Sequence, residues 1–371
     1  MAKIRWFTRT SRIVALCSFA NFINSADRVI MPIAIVPMTD LFNWSLHSQG
    51  WILSACAFGY FTSQILGSFW ATKLGAKNVL ICSVLLWSIA TLVTPLLASS
   101  ITALISCRII LGFAEGLGLP TIFHLVRIDR ANRSLVLCPH LTWEACFYWF
   151  GSFGFIWVLL WYCLYPSDPY TGEDTLPLHM PKVISHNIRW ADFILSLPLW
   201  AIYAAHFAMN WSSYIIMQWL PTYLSRNLGG NAHSLSLTAV PYIVNSIFGV
   251  ISGRLMTCIG LVGPALFLAI FCVVDNLALA IILVSISMGL SASNSAGHLS
   301  NHVDVAPNHA GTTFAISNTI ATIPGILCGP VTASLVTASD GKWITVFLGA
   351  TFVNLTGAVL YFTNSVATQV L

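Results

Sequence analysis

Eleven stretches of predominantly apolar residues follow one another along this chain, at 13–38, 49–72, 79–98, 101–125, 146–165, 193–224, 235–256, 259–274, 277–298, 310–337 and 343–362. Most are close to the length of about 20 helical residues that crosses a ~30 Å hydrocarbon core. This repeat decides the fold class before any single residue does. A chain of 371 residues is long enough for two or three soluble domains. Such domains need a charged surface, about 25% of residues on average, and only 8% of this sequence is charged while 57% is hydrophobic. The expected fold is therefore an all-α polytopic membrane protein. A formal net charge of +4 carries no nucleic-acid footprint. The ten cysteines are scattered, mostly within apolar stretches and with no CxxC pair, and read as small packing residues. No metal or cofactor is expected.

The least apolar stretch, 166–192, contains Asp168, Glu173, Asp174, Lys182, Arg189 and Asp192. It reads as a hydrophilic linker between an N-terminal helical bundle (1–165) and a C-terminal one (193–371). The basic N-terminus runs into a first stretch that is too long for a cleaved signal and includes Asp27 and Arg28, so that stretch is expected to stay in the mature protein. Lys3, Arg5, Arg9 and Arg12, then Lys73 and Lys77, then Arg127, Arg130 and Arg133 fall on every second connection. By the positive-inside rule the N-terminus is cytoplasmic. In the second half Arg226, Arg254 and Lys342 agree on no side. Asn43-Trp44-Ser45 fits a glycosylation acceptor, but lies too close to the membrane to be expected in use.

The residues that carry chemistry are those that lipid disfavours. A charge at mid-membrane costs roughly 2.5–3.5 kcal/mol on insertion scales, so it needs a partner or a hydrated cavity. Arg28 and Asp27 lie in the first span, Arg108 and Glu115 in the fourth. Arg108 and Glu115 share a helix face about 10 Å apart, too far for a direct salt bridge. The spacing suits an arginine that meets an anion and a carboxylate that carries a proton or holds the arginine. Asp27 is equally a local counter-ion for Arg28. His206 and His124 are candidate titrating groups, and Asn210 and Tyr214 add polar handles near His206. Gly112 and Gly116 place small residues where a neighbouring helix can pack.

Several segments together resemble the major facilitator superfamily, and within it the anion:cation symporters, the group of sodium/phosphate cotransporters, sialin and vesicular glutamate transporters. They are Ala26-Asp-Arg-Val-Ile-Met-Pro, Gln49-Gly-Trp-Ile-Leu-Ser, the basic linker Gly67 to Lys77, Cys107-Arg-Ile-Ile-Leu-Gly-Phe-Ala-Glu-Gly with Pro120, and Trp219-Leu-Pro-Thr-Tyr. Asn301-His-Val-Asp-Val-Ala-Pro and Ile316-Ser-Asn-Thr with Pro324-Gly325 continue the match in the same order. The resemblance implies a two-bundle fold with a midplane site opened alternately to each side. It implies a secondary transporter of small anions, inorganic phosphate or organic, coupled to a cation, sodium or proton. Arg28, Arg108, Asn210 and Tyr214 are the expected substrate contacts, with Glu115 and His206 on coupling. The vesicular glutamate branch carries an arginine in helix seven where this chain has Met209, which argues against glutamate.

The family has twelve helices, and this chain is expected to have about eleven. After Arg133 the run Ser-Leu-Val-Leu-Cys-Pro139-His-Leu-Thr-Trp is too short to span, so the fifth helix is missing. With eleven spans the linker 166–192 would face outside and the second bundle would be inverted. A shortened, non-transporting or regulatory product of a transporter gene is therefore a second reading. A membrane oxidase is a third: His298 and His302 have the i, i+4 spacing of two ligands on one metal. No further histidine cluster completes such a site.

Overall fold

Inside a bilayer no water is available to backbone amides, and a helix answers every one of them within its own segment. The computed structural model describes residues 9–125, 142–165, 190–229, 240–241, 244, 254–271, 273–306, 310–366, 368 and 370, and their regular structure is helical throughout. In chain order the helices are α1 (Arg9–Phe42), α2 (Leu46–Trp70), α3 (Ala76–Leu97), α4 (Ile101–Leu125), α5 (Trp143–Leu164) and the short α6 (Trp190–Leu195). They continue with α7 (Leu197–Asn227), α8 (Arg254–Phe271), α9 (Leu277–Val305), α10 (Ala310–Ala338) and α11 (Ile344–Asn364). These helices match ten of the eleven expected spans. Most of the remaining one, 235–256, and most of the linker 166–192 lie outside the described residues. Six segments, in α1, α3, α4, α5, α10 and α11, are long and apolar enough to cross a membrane by length and composition alone.

Polar residues within the helices fall into two classes. Thr39, Ser83, Thr94 and Thr121 donate to the carbonyl four residues back, which makes a hydroxyl compatible with an apolar setting. Others have no such outlet, and they mark the interior described below. Between α2 and α3 the chain forms a π-helical turn, Ala71–Gly75, ending at Gly75 with φ +83°. A side chain there would strain the backbone, so glycine makes this tight reversal.

Helices α1–α5 pack mainly as α2 on α4, α3 on α4 and α5, and α1 on α5. Helices α7–α11 pack mainly as α8 on α9 and α11, and α7 on α10 and α11. The two groups meet along α2–α10 and α1–α7. Glycine allows the closest contacts. Gly112 lies against the Cys56 carbonyl and Gly59 against the Ile109 carbonyl, so α2 and α4 touch backbone to backbone. Across the groups, a Cβ on Gly50 would stand 2.6 Å from the Gly329 carbonyl oxygen.

These contacts also fix directions. Gly50 pairs with Gly329, while Gln64 pairs with Asn318 and Thr322, so α2 and α10 are antiparallel. His206 pairs with Ser317 and Asn210 with Ala321, so α7 runs with α10. Helix α7 therefore starts on the face where α1 starts (the near face), and the expected inversion of the second half is corrected. The reason lies at α4 and α5. Gly59 faces Ile109 and Gly67 faces Leu117, which makes α4 parallel to α2. Gly151 sits on Leu92 and Lys77 Nζ lies 4.6 Å from the Tyr165 ring, which makes α5 antiparallel to α3. Both α4 and α5 thus run from the far face to the near face, and the segment between them starts near and ends far.

The buried apolar residues form one core that spans both groups and two that do not. The shared core joins Met31, Ile35, Met38 and Ile52 to Trp219, Tyr223, Trp343 and Phe347 toward the far face. Leu16, Ile23, Leu80, Trp87 and Trp157 form a separate core in the first group, and Tyr203, Leu261, Val305 and Tyr361 another in the second. Among the described residues the two groups share an apolar core only toward the far face, and toward the near face Gln64 of α2 joins them by hydrogen bonds with Asn318 and Thr322 of α10.

A midplane cavity with two arginines

Helices α1, α2, α4 and α7 surround a cavity at mid-height, lined by Arg28, Met31, Pro32, Leu53, Cys56, Ala57, Tyr60, Arg108, Tyr214, Met217 and Gln218. It is narrow, about 30 Å³. A single water needs roughly 10–15 Å³ by the same measure. The space suits a couple of waters, and a larger ligand requires the helices to part.

Arg28 enters from α1. Its Nε donates to Glu115 Oε2 at 2.9 Å, and its guanidinium carbon stands 4.4 Å from the Tyr60 ring centroid. The arginine side chain is 23% exposed and the glutamate 0%, so Arg28 holds the carboxylate on one side and faces the cavity on the other. Cys56 Sγ approaches the same Glu115 oxygen at 3.7 Å. Asp27, adjacent in sequence, is not the partner of Arg28. It is buried, with Glu115, Arg108 and Thr91 as its polar neighbours, and neither of its oxygens closes a hydrogen bond.

Arg108 is 3% exposed, and its Nε and Nη1 have no protein partner. Nη2 of Arg28 and Oε1 of Glu115 are also unpartnered. Leaving a buried polar group without a hydrogen bond is costly, more so for a charge, and here guanidinium donors of two arginines stay open at one cavity. As ionised groups Arg28 and Arg108 are balanced by Asp27 and Glu115. A guanidinium is always charged and presents a planar fork of donors to an oxyanion.

One face of α7 carries His206, Asn210, Tyr214 and Gln218 at four-residue spacing, which stacks them on one side of a helix. Tyr214 and Gln218 reach the cavity. Gln218 Nε2 also donates to the Gly325 and Leu53 carbonyls at 3.1 and 3.4 Å, bridging the two groups. Asn210 donates to the Ala321 carbonyl at 2.8 Å and His206 Nδ1 lies 2.8 Å from Ser317 Oγ, so both stand nearer the near face, beyond the cavity lining. The side chain of His124 is outside the described residues. The structure thus assembles Arg28, Arg108, Tyr214 and Glu115 from the expected set. It adds Tyr60, Gln218 and Asp27, together with Gln64, which accepts from Asn318 at 2.6 Å and donates to Thr322 at 2.9 Å. A polar residue within an apolar stretch was the available signal for Tyr60, Gln64 and Gln218, and one too common to single them out. Among the described residues no group of three or more His, Cys, Asp or Glu side chains is arranged to hold a metal ion.

The profile of the Major Facilitator Superfamily matches residues 17–127 and 134–328. A rice protein, "Probable anion transporter 4, chloroplastic", is 30% identical over 98% of this chain and 70% of its own length. Sheep "Sialin" is 32% identical over 86% of this chain and 76% of its own. Arabidopsis "Sodium-dependent phosphate transport protein 1, chloroplastic" is 31% identical over 94% and 78%. Among solved structures, a bacterial homologue of the human lysosomal transporter Spinster, inward-facing and occupied, superposes with a TM-score of 0.72 at 14% identity, covering 95% of this chain and 96% of that one.

Proposed function

The chain belongs to the major facilitator superfamily, and from that membership we propose that it is a secondary transporter of small anions, inorganic phosphate or organic, driven by a sodium or proton gradient. One observation carries this reading: two arginines with open guanidinium donors meet at a midplane cavity between two helical groups that share an apolar core only toward one face. Relatives named for anion and phosphate transport support it. Arg28 and Arg108 hold the substrate charge, with Tyr214 against it and Asn210 on the way to the near face. Glu115 supplies coupling: with both carboxylates ionised the four charged groups sum to zero, and a cation bound at a carboxylate leaves net positive charge for the anion. The near face is the cytoplasmic one, since Lys73 and Lys77 lie there.

Proteoliposome uptake of radiolabelled phosphate and organic anions under imposed sodium and proton gradients tests the proposal. Arg108→Ala abolishes uptake while the protein still inserts in the membrane; uptake retained by this variant removes Arg108 from the mechanism. A second reading, a shortened membrane protein that does not transport, is favoured by one observation. The segment 126–142 joins the near end of α4 to the far end of α5, and as a helix it would rise only about 25 Å, short of a ~30 Å core. Uptake gained only when a full-length fifth helix is restored would support that reading.

A further inference from the structure

A second buried polar cluster lies in the C-terminal group, away from the arginine cavity. His206 on α7 and His298 on α9 are 5% and 0% exposed, with ring centroids 4.8 Å apart. His298 Nδ1 stands 2.7 Å from the Asn294 carbonyl oxygen and 3.0 Å from Asn294 Oδ1. A carbonyl oxygen only accepts, so the ring proton of neutral His298 resides on Nδ1 and Nε2 keeps its lone pair. That Nε2 is buried and has no partner. One turn along α9, His302 Nδ1 meets Thr313 Oγ1 at 3.1 Å, and its Nε2 is likewise buried and open.

The groups around the pair offer no counter-charge. Besides His302, α9 contributes Asn294 and Asn301, and α10 contributes Ser317, Thr313 and Phe314. The other titratable side chains of this interior are Tyr203 on α7, Cys258 on α8 and Tyr361 on α11, whose hydroxyl accepts from Asn301. Among the described residues no carboxylate joins the cluster, and Asp304 on α9 is exposed. His206 lies eight residues from Tyr214 on the same face of α7, about 12 Å along the axis toward the near face. Asn210 and then His206 follow Tyr214 along this face of α7 between the cavity and the near face.

We propose that His206 and His298 form one proton-accepting pair, a second ionisable station on the anion path that belongs to the C-terminal group; it rests on the transport reading above. The lone pair of His298 Nε2 takes the proton from water on the near side. Two imidazolium rings this close repel, so the pair charges once. The charge it gains has the passing anion as its counter-ion, which makes anion affinity on the near side rise as the pH falls.

Two measurements test the pair. In proteoliposomes with the near face outward, the apparent KM for the transported anion rises with pH, by as much as about tenfold per unit, and His298→Phe and His206→Phe each flatten that rise to under about twofold. A pH dependence unchanged in both variants overturns the proposal. The second measurement needs no transport: nitrogen-15 NMR of histidine-labelled protein in nanodiscs, titrated from pH 8 to 4.5. Protonation of His298 Nε2, with His206 titrating differently once His298 is Phe, supports the pair. An Nε2 that stays unprotonated throughout overturns it. If neither wild type nor variants move any anion at any pH, the transport reading fails, and the NMR titration alone decides the proton site.

Discussion

The Arg28–Glu115 pair makes a quantitative claim about what holds α1 to α4. At 2.9 Å the attraction of the two charges is about 6 kcal/mol with an effective dielectric of ~20. Much of that is offset by taking the ions out of water, and the pair itself adds little net stability. Removing one partner is a different matter, because it strands the other charge, typically at 3–5 kcal/mol. The two ends are not equivalent. Glu115 is wholly buried, whereas Arg28 keeps 23% of its side chain exposed to the cavity. Arg28→Ala should therefore destabilise by about 3–5 kcal/mol, since among the described residues the carboxylate keeps only the weak Cys56 thiol as a hydrogen-bond partner. Glu115→Gln should cost less, about 1–2 kcal/mol, because the amide oxygen still accepts from Arg28 Nε. The double variant should recover some 2–3 kcal/mol relative to Arg28→Ala, since no buried charge remains alone. Reversible unfolding of the four proteins in mixed micelles, followed by tryptophan fluorescence, closes the cycle. If the two single effects add within about 0.5 kcal/mol, the groups do not depend on one another and the pair is not what fixes Glu115.

Two further outcomes follow from the packing. Gly112→Val inserts a branched side chain where α4 meets the Cys56 carbonyl, so α2 and α4 must separate; a loss of about 1–3 kcal/mol is expected in the same unfolding assay, while Gly349→Ala, with nothing near its Cβ, should lie within about 0.5 kcal/mol of wild type. Gln64→Ala removes both side-chain bonds from α2 to Asn318 and Thr322 of α10; at about 0.5–1.5 kcal/mol each this should raise labelling of a cysteine placed at buried Ala321, at the same level of α10, by an impermeant thiol reagent roughly fivefold or more, and unchanged labelling would mean that these bonds do not hold the near half of the α2–α10 seam closed.

The chain's own residues determined that it is helical, that it crosses a membrane many times, and where ten of its helices lie. Hydropathy is a local sum over about twenty neighbours, and lipid leaves the backbone no other answer than to bond within that stretch. The same solvent made the charged residues conspicuous, so Arg28, Arg108 and Glu115 could be singled out from cost alone. What they do to one another was not local. Arg28 and Glu115 are 87 positions apart, and only the crossing of α1 over α4 decides that Arg28 pairs with Glu115 and not with adjacent Asp27. Tyr60 and Gln218 became cavity residues through the angle at which α2 and α7 present them. Counting spans gave an inverted second half, because parity treats a segment too short for a helix as no crossing. The tertiary structure sets α4 and α5 parallel, and the contacts of α2 with α10 then fix the direction of everything that follows. Direction and pairing are relations between distant segments, set by which helix faces pack, and no sum over neighbours along the chain contains them.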